Sequence, residues 1–128
     1  MKTNVARILL VDDDPHIRSL GQEILEKLGY GVETAETGEE VLVKFHQDGN
    51  LDLVILDYHL PGIDGLEVVR RLKKTYPETE VLVASGFFSN GEKEQLMAGG
   101  AIGFLTKPFR MRELKSRIEE ALGGRPGI

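Results

Sequence analysis

Acidic, hydroxyl and amine side chains follow directly after apolar segments of this sequence. Three adjacent carboxylates, Asp12, Asp13 and Asp14, come after the first such segment. Later segments each lead to one polar side chain, and these are Asp57, Ser85 and Lys107. Two like charges about 4 Å apart repel by roughly 4 kcal/mol at an effective dielectric constant near 20, so neighbouring carboxylates favour an offsetting cation. Mg²⁺ is typically held by one or two carboxylates plus water, which leaves positions for a phosphate.

Five short apolar runs alternate with amphipathic segments, and runs of this kind are typical of central parallel strands. They are Ile8–Val11, Gly31–Thr34, Leu51–Leu56, Glu80–Ala84 and Ala101–Leu105. The alternation predicts the α/β class, with an open parallel sheet and helices on both faces. Because crossovers are right-handed, few topologies remain. The flavodoxin-like (βα)5 three-layer sandwich with strand order 2-1-3-4-5 is the common five-stranded solution.

The ends of the predicted helices carry local information. Asp14 precedes Pro15, which favours Asp14 as the residue that caps the first helix. Gly29 is expected to end that helix in a left-handed conformation. The fourth helix, Asn90–Gly99, contains Gly91 and therefore has low intrinsic helix propensity. We expect it to be the most mobile helix, with fast amide exchange.

In open α/β sheets, ligands bind at the carboxyl ends of the strands, near the point where the strand order reverses. This geometry places Asp12 and Asp13 opposite Asp57, across the gap between strands one and three. Ser85 and Lys107 follow strands four and five at the same edge. The sequence therefore predicts that four of the five strand ends contribute to one polar site.

Composition narrows the classes of function. The 128-residue chain has a net charge of −5 and no basic cluster, which argues against direct nucleic-acid binding. It has no cysteine, so disulfides and thiolate metal sites are excluded. Its apolar runs are far shorter than a membrane span, and MKTNVAR lacks a signal-peptide hydrophobic region. We expect a cytoplasmic protein with one domain over residues 1–123 and a tail or truncated linker at 124–128.

Four segments carry a resemblance to a known family. VDDDP, LVILDYHLPGIDG, VLVASG and FLTKPF occur in this order at the predicted strand ends. Together they resemble the receiver domain of two-component response regulators, in particular receivers of the chemotaxis-regulator type. The resemblance covers Arg7 to Leu122. The SGF segment after strand four is similar to receivers of hybrid sensor kinases.

The resemblance implies a phosphoacceptor and a metal site. Asp57 would attack the phosphohistidine of a sensor histidine kinase or histidine phosphotransfer protein, as aspartyl-phosphate chemistry requires. Asp13, Asp57 and the backbone carbonyl of His59 would ligate Mg²⁺, with Mn²⁺ as an alternative, and Asp12 would act through water. The chain would be a monomer or a weak phosphorylation-dependent dimer. The sequence leaves the output partner, or a fused effector domain, open.

The resemblance also implies a conformational switch. Lys107, aimed inward by a cis bond to Pro108, would neutralise charge on the phosphoryl group, and Ser85 would donate a hydrogen bond to it. Their movement would let the Phe104 ring turn inward. The face formed by helix four, strand five and helix five would then change shape, because a local charge change biases a bistable element. This sequence departs from the family two residues after Ser85, where the bulky apolar Phe87 would shield the acyl phosphate from hydrolytic water.

Three other functions fit parts of the pattern. An FMN-binding flavodoxin shares the topology, but the carboxylates at Asp12–Asp14 would repel a phosphate that such a protein binds with backbone amides. A haloacid-dehalogenase-like phosphatase also uses an aspartate nucleophile and Mg²⁺, but it carries a D-x-D pattern after its first strand. Here Asp57 is followed two positions later by His59. The third alternative is an interaction module that no longer takes phosphate.

Overall fold

The computed structural model describes residues 5–47 and 49–123, so the tail predicted at 124–128 lies outside the described residues. The chain alternates five strands with five helices. The strands are β1 (Arg7–Val11), β2 (Gly31–Ala35), β3 (Leu53–Asp57), β4 (Glu80–Ser85) and β5 (Gly103–Thr106). The helices are α1 (Pro15–Lys27), α2 (Gly38–Gln47), α3 (Gly65–Thr75), α4 (Asn90–Gly99) and α5 (Met111–Leu122). All strand pairs are parallel, in the order β2-β1-β3-β4-β5, which confirms the predicted fold.

Two strands begin later than the apolar runs suggested. Leu51 and Ala101 are buried, yet β3 starts at Leu53 and β5 at Gly103. Ala101 belongs to the end of α4, because its N–H donates to the Leu96 carbonyl at 2.9 Å. Both strands were therefore predicted to begin too early, because apolar residues just before a strand can be as buried as those within it.

The sheet separates two apolar layers, because successive side chains of a strand point to opposite faces. In β1, Leu9 and Val11 pack on one face and Ile8 and Leu10 on the other. The first layer contains side chains from α2, α3 and α4, and the second contains side chains from α1 and α5. This arrangement confirms the three-layer sandwich and leaves the carboxyl edge of the sheet as the place where loops converge.

The ends of α1 follow the predicted chemistry. The Asp14 carboxylate accepts a hydrogen bond from the His16 N–H at 2.9 Å, and Pro15 is the first helical residue. Gly29 has a φ of 97°, a left-handed conformation that residues with a side chain rarely adopt. Asp14 is therefore a structural cap, which separates it from its neighbours Asp12 and Asp13.

Helix α4 is capped more strongly than its glycines suggested. Ser89 and Glu92 form a capping box, in which each side chain accepts a hydrogen bond from the other residue's backbone N–H. At the other end, Gly100 adopts a φ of 114° and closes the helix, while Leu96 is fully buried. These caps offset part of the low intrinsic helix propensity of α4. The mobility of α4 stays a prediction.

We expect Gly91→Ala to stabilise the protein by about 0.5 kcal/mol, because alanine loses less backbone entropy than glycine in a helix. A Cβ atom at Gly91 would have no heavy atom within 4 Å. Gly100→Ala is the matched control and should be destabilising, since its Cβ would lie 2.6 Å from the Lys73 Cγ at a positive φ. Urea unfolding followed by circular dichroism measures both changes. A destabilising Gly91→Ala would contradict the prediction.

Candidate functional site

Three carboxylates meet at the carboxyl edge of the sheet. Asp12 and Asp13 follow β1 directly, and Asp57 is the last residue of β3. One oxygen from each of the three lies within 4.8 Å of the others. Asp12 and Asp57 are only 3% and 7% exposed, whereas Asp13 is exposed. The adjacent strands β1 and β3 therefore bring together the residues that the sequence analysis placed there.

Lys107 reaches into this cluster from the end of β5. Its Nζ lies 2.7 Å from Asp12 Oδ2 and 3.3 Å from Asp57 Oδ2. Its backbone N–H donates to the Ser85 carbonyl at 2.7 Å, which ties the segment after β5 to the end of β4. The peptide bond between Lys107 and Pro108 is cis, as the resemblance implied. The lysine therefore points inward and pairs with both buried carboxylates.

Backbone N–H groups fix the second oxygen of each buried carboxylate. Asp12 Oδ1 accepts from the Asp14 N–H at 2.9 Å, and Asp57 Oδ1 accepts from the His59 N–H at 3.2 Å. Both carboxylates thus present Oδ2 to the lysine. Within residues 5–47 and 49–123, the Asp13 carboxylate makes no hydrogen bond or ion pair, so it is open to a ligand from solvent.

The electrostatics of the cluster favour an additional cation. Burial raises the pKa of the Asp57 carboxyl above its ordinary value, and the Asp12 charge adds to the rise, although Lys107 and the His59 N–H act in the opposite direction. Burial alone would lower the pKa of Lys107, but its bonds to Asp12 and Asp57 outweigh this, and the pKa is raised. One ammonium cannot neutralise three carboxylates. A divalent ion with oxygen ligands fits this donor set, because hard cations prefer carboxylate oxygens.

Ser85 lies at the same edge but is engaged elsewhere. It is fully buried, and its hydroxyl donates to the Phe87 carbonyl at 2.9 Å and accepts from the Phe87 N–H at 3.3 Å. In this conformation the side chain closes a local turn. Its predicted contact with a phosphoryl group stays a prediction.

A chain of aromatic rings runs from the site towards α4. The Phe88 ring is 9% exposed and lies between Tyr58 and Phe104, at centroid distances of 6.2 and 5.1 Å. The Phe104 ring is half-buried, and the Lys93 ammonium lies 5.8 Å from its centroid. Phe87 is 75% exposed, so only the second residue of the Phe87-Phe88 pair enters the core. The burial of Phe88 could not be predicted from the sequence, because the pair lies in a loop without periodicity.

The comparisons with known proteins agree with this site. A sequence profile of the response regulator receiver domain matches residues 8–119. The chain therefore belongs to the response regulator receiver domain family, which supersedes the flavodoxin and dehalogenase alternatives. As such it is a signalling switch of two-component systems. None of the described helices combines the length and the apolar character that a membrane span requires.

Individual relatives include both transcriptional regulators and a kinase. The chain is 36% identical to the transcriptional regulatory protein TrcR of Mycobacterium tuberculosis, over 91% of this chain and 45% of that protein. It is 34% identical to the sensor kinase CckA of Brucella abortus, over 91% of this chain and 12% of that protein. The chain thus spans half or less of the length of these curated relatives.

Solved structures share the whole fold. The chemotaxis protein CheY4 of Vibrio cholerae superposes with a TM-score of 0.88 at 33% identity, covering 92% of this chain and 99% of that chain. A CheY-like receiver domain protein from Methanospirillum hungatei gives a TM-score of 0.88 at 32% identity, covering 94% and 96%. These similarities confirm the receiver class and the chemotaxis-regulator type of fold.

We expect Asp57→Asn to stabilise the metal-free protein at neutral pH. Because the pKa of Asp57 is raised on folding, the folded chain binds this proton more tightly than the unfolded chain does. Ionisation therefore lowers stability as pH rises from the unfolded pKa to the folded pKa, and the penalty is complete above both. Below the ordinary pKa of 3.8 the two proteins should converge.

Urea unfolding in EDTA between pH 3 and pH 8 measures this difference, with Asp14→Asn as the control. Asparagine caps helices about as well as aspartate, so this control should follow the wild type at neutral pH. A stabilisation by Asp57→Asn that is independent of pH would show that removal of the Asp57 charge is not its cause.

Proposed function

We propose that Asp57 accepts a phosphoryl group from the phosphohistidine of a sensor histidine kinase or a histidine phosphotransfer protein. The observation that supports the proposal is the way in which both oxygens of the Asp57 carboxylate are held. One of its oxygens is held by the His59 N–H and the other lies 3.3 Å from the Lys107 ammonium. A carboxylate fixed in this way beside a cation is suited to attack an electrophilic phosphorus.

In the proposed reaction, an Asp57 oxygen forms a bond to phosphorus while the bond from phosphorus to the histidine nitrogen breaks. The electron pair of that bond goes to the imidazole, and an acyl phosphate remains on Asp57. Lys107 stabilises the charge on the transferring group, since phosphoryl transfer depends mainly on positioning and electrostatics. Its Nζ already lies within reach of the carboxylate and needs little rearrangement.

Asp13 and Asp57, with the backbone carbonyl of His59, would hold Mg²⁺ or Mn²⁺, and Asp12 would assist through water. The bound ion would supply further positive charge to the phosphoryl oxygens. The convergence of the three carboxylates within 4.8 Å supports this assignment. It also opposes the alternative of an interaction module without phosphate chemistry, because carboxylates held this close repel one another unless a cation offsets their charge.

We propose that Ser85 couples phosphorylation to the output face. A serine hydroxyl has one proton, so it cannot donate to a phosphoryl oxygen and to the Phe87 carbonyl at the same time. Phosphorylation would therefore open the turn after β4. Phe88 follows this turn and packs on Phe104, so the change reaches the face formed by α4, β5 and α5. The exposed Phe87 ring would then control access of water to the acyl phosphate.

The wider setting is also a proposal. The domain over residues 1–123 would act in the cytoplasm, either free-standing or as part of a longer regulator or hybrid kinase. It would assist its own phosphotransfer and dephosphorylation, and it would be a monomer or a weak dimer when phosphorylated. Both transcriptional regulators and a sensor kinase occur among the relatives, which supports each of these contexts.

Incubation with acetyl phosphate and Mg²⁺ should add one phosphoryl group, detected by intact mass. Asp57→Asn should abolish the addition, because the attacking oxygen is removed, and chelation of Mg²⁺ should suppress it. Asp14→Asn is the matched control, since it changes a neighbouring carboxylate that only caps α1. Phosphorylation of Asp57→Asn at the wild-type level would refute the proposal.

Asp13→Asn should weaken Mg²⁺ binding at least about tenfold, while Asp14→Asn should leave it unchanged. The loss of one charge next to a divalent ion exceeds the 1.4 kcal/mol that corresponds to a factor of ten. Titration calorimetry of the unphosphorylated protein measures this affinity directly. Equal affinities for the two variants would show that Asp13 is not a ligand.

A further inference from the structure

Arg18 joins the backbone of Asp12, which follows β1, to Glu36, which follows the neighbouring strand β2. Its Nη1 donates to the backbone carbonyl of Asp12 at 2.8 Å, and its Nη2 donates to the Glu36 carboxylate at 2.9 Å. The Arg18 side chain is only 17% exposed. The Glu36 N–H donates in turn to the Glu40 carboxylate at 2.7 Å, so the acceptor is itself tied to α2. A planar guanidinium can serve two acceptors in fixed directions.

The Asp12 carbonyl belongs to the peptide bond that leads into Asp13. The Asp12 side chain has other anchors, because its oxygens are held by the Asp14 N–H and by Lys107. Its backbone N–H is held by the Ala35 carbonyl at 3.2 Å. The Asp13 carboxylate has no such contact within the described part of the chain. The orientation of this peptide plane is therefore what aims Asp13.

We propose that Arg18 is a positioning residue for Asp13, and that it sets the affinity of the site for Mg²⁺. This inference rests on the proposed metal site, but it concerns a residue that does not contact the ion. By fixing the Asp12 carbonyl, Arg18 holds the Asp13 carboxylate where it faces Asp57. Residues that orient metal ligands in this way typically contribute about 10- to 100-fold to affinity.

The positive charge of Arg18, taken alone, would lower the affinity of the site for Mg²⁺. A cation close to the site repels Mg²⁺, so a purely electrostatic role predicts tighter binding when the guanidinium is removed. A positioning role predicts weaker binding. The sign of the change therefore separates the two explanations. Arg18→Lys adds a second criterion, because it keeps the charge but lacks the rigid fork that reaches both acceptors.

Titration calorimetry with MgCl₂ on the unphosphorylated protein tests the proposal. We expect Arg18→Met and Arg18→Lys each to weaken binding by about tenfold or more. Arg71→Lys is the matched control, since Arg71 also pairs with a glutamate, Glu67 at 2.8 Å, but on α3 away from the carboxylates. In an Asp13→Asn background the Arg18→Lys change should have no further effect, because the side chain that it positions is no longer a charged ligand.

A second readout separates positioning from general destabilisation. The acetyl phosphate reaction of Arg18→Lys should need about tenfold more Mg²⁺ for half-maximal rate but reach the wild-type maximum at saturation. Its thermal unfolding in EDTA should show that the variant is fully folded at the temperature of the assays. Wild-type affinity in both Arg18 variants, tighter binding in Arg18→Met, or an undiminished effect in the Asp13→Asn background would each overturn the proposal. If the wild type does not bind Mg²⁺, the proposed metal site is overturned together with the role of Arg18. If the wild type binds Mg²⁺ but the Arg18 variants bind it equally well, only the role of Arg18 is overturned.

Discussion

The contact of one lysine with two buried carboxylates is the constraint on which the rest of the site depends. Lys107 lies 2.7 and 3.3 Å from Asp12 and Asp57, which lie at the carboxyl ends of the adjacent strands β1 and β3. Without this ammonium, two nearly inaccessible negative charges would face each other, and an unpaired buried charge costs several kcal/mol. The lysine therefore ties the segment after β5 to the carboxyl ends of β1 and β3. The same pairing leaves Asp13 as the accessible member of the cluster, so the structure separates two carboxylates paired with the lysine from an outer carboxylate that can take a ligand.

The parallel sheet explains why these residues can meet at all. The segments Arg7–Val11 and Leu53–Asp57 are hydrogen-bonded neighbours in parallel register, so their carboxyl ends lie side by side. The carboxylates of Asp12, Asp13 and Asp57 are thereby placed within 4.8 Å of one another, although Asp57 is far from the other two in sequence. The apolar layers on both faces fix the strands, and the polar edge carries the chemistry. Stability and function thus come from different parts of the same elements, which allows the edge to hold a destabilising cluster of charge.

The carboxyl ends of the strands could be predicted from the sequence. A buried strand is an uninterrupted apolar run, and a polar residue at or directly after its last position marks the end. Asp57, Ser85 and Lys107 were predictable for that reason. The Ser89–Glu92 capping box is visible in the sequence as S-x-x-E, but the low helix propensity of Gly91 obscured it. The burial of Phe88 and the contact of Arg18 with the Asp12 carbonyl were not predictable. Both depend on how a loop or side chain crosses between elements, and neither leaves a periodic pattern.

The coupling between the site and α4 has a physical basis in limited hydrogen-bonding capacity. The Ser85 hydroxyl is fully committed to the Phe87 backbone, at 2.9 Å as a donor and 3.3 Å as an acceptor. Any new acceptor beside Asp57 competes for the single proton of Ser85, and the turn that follows must rearrange when that proton moves. Phe88 lies on the path of this rearrangement, packed between Tyr58 and Phe104. Because close-packed rings adopt discrete arrangements rather than continuous ones, a small change at the serine can become a change in the position of a helix.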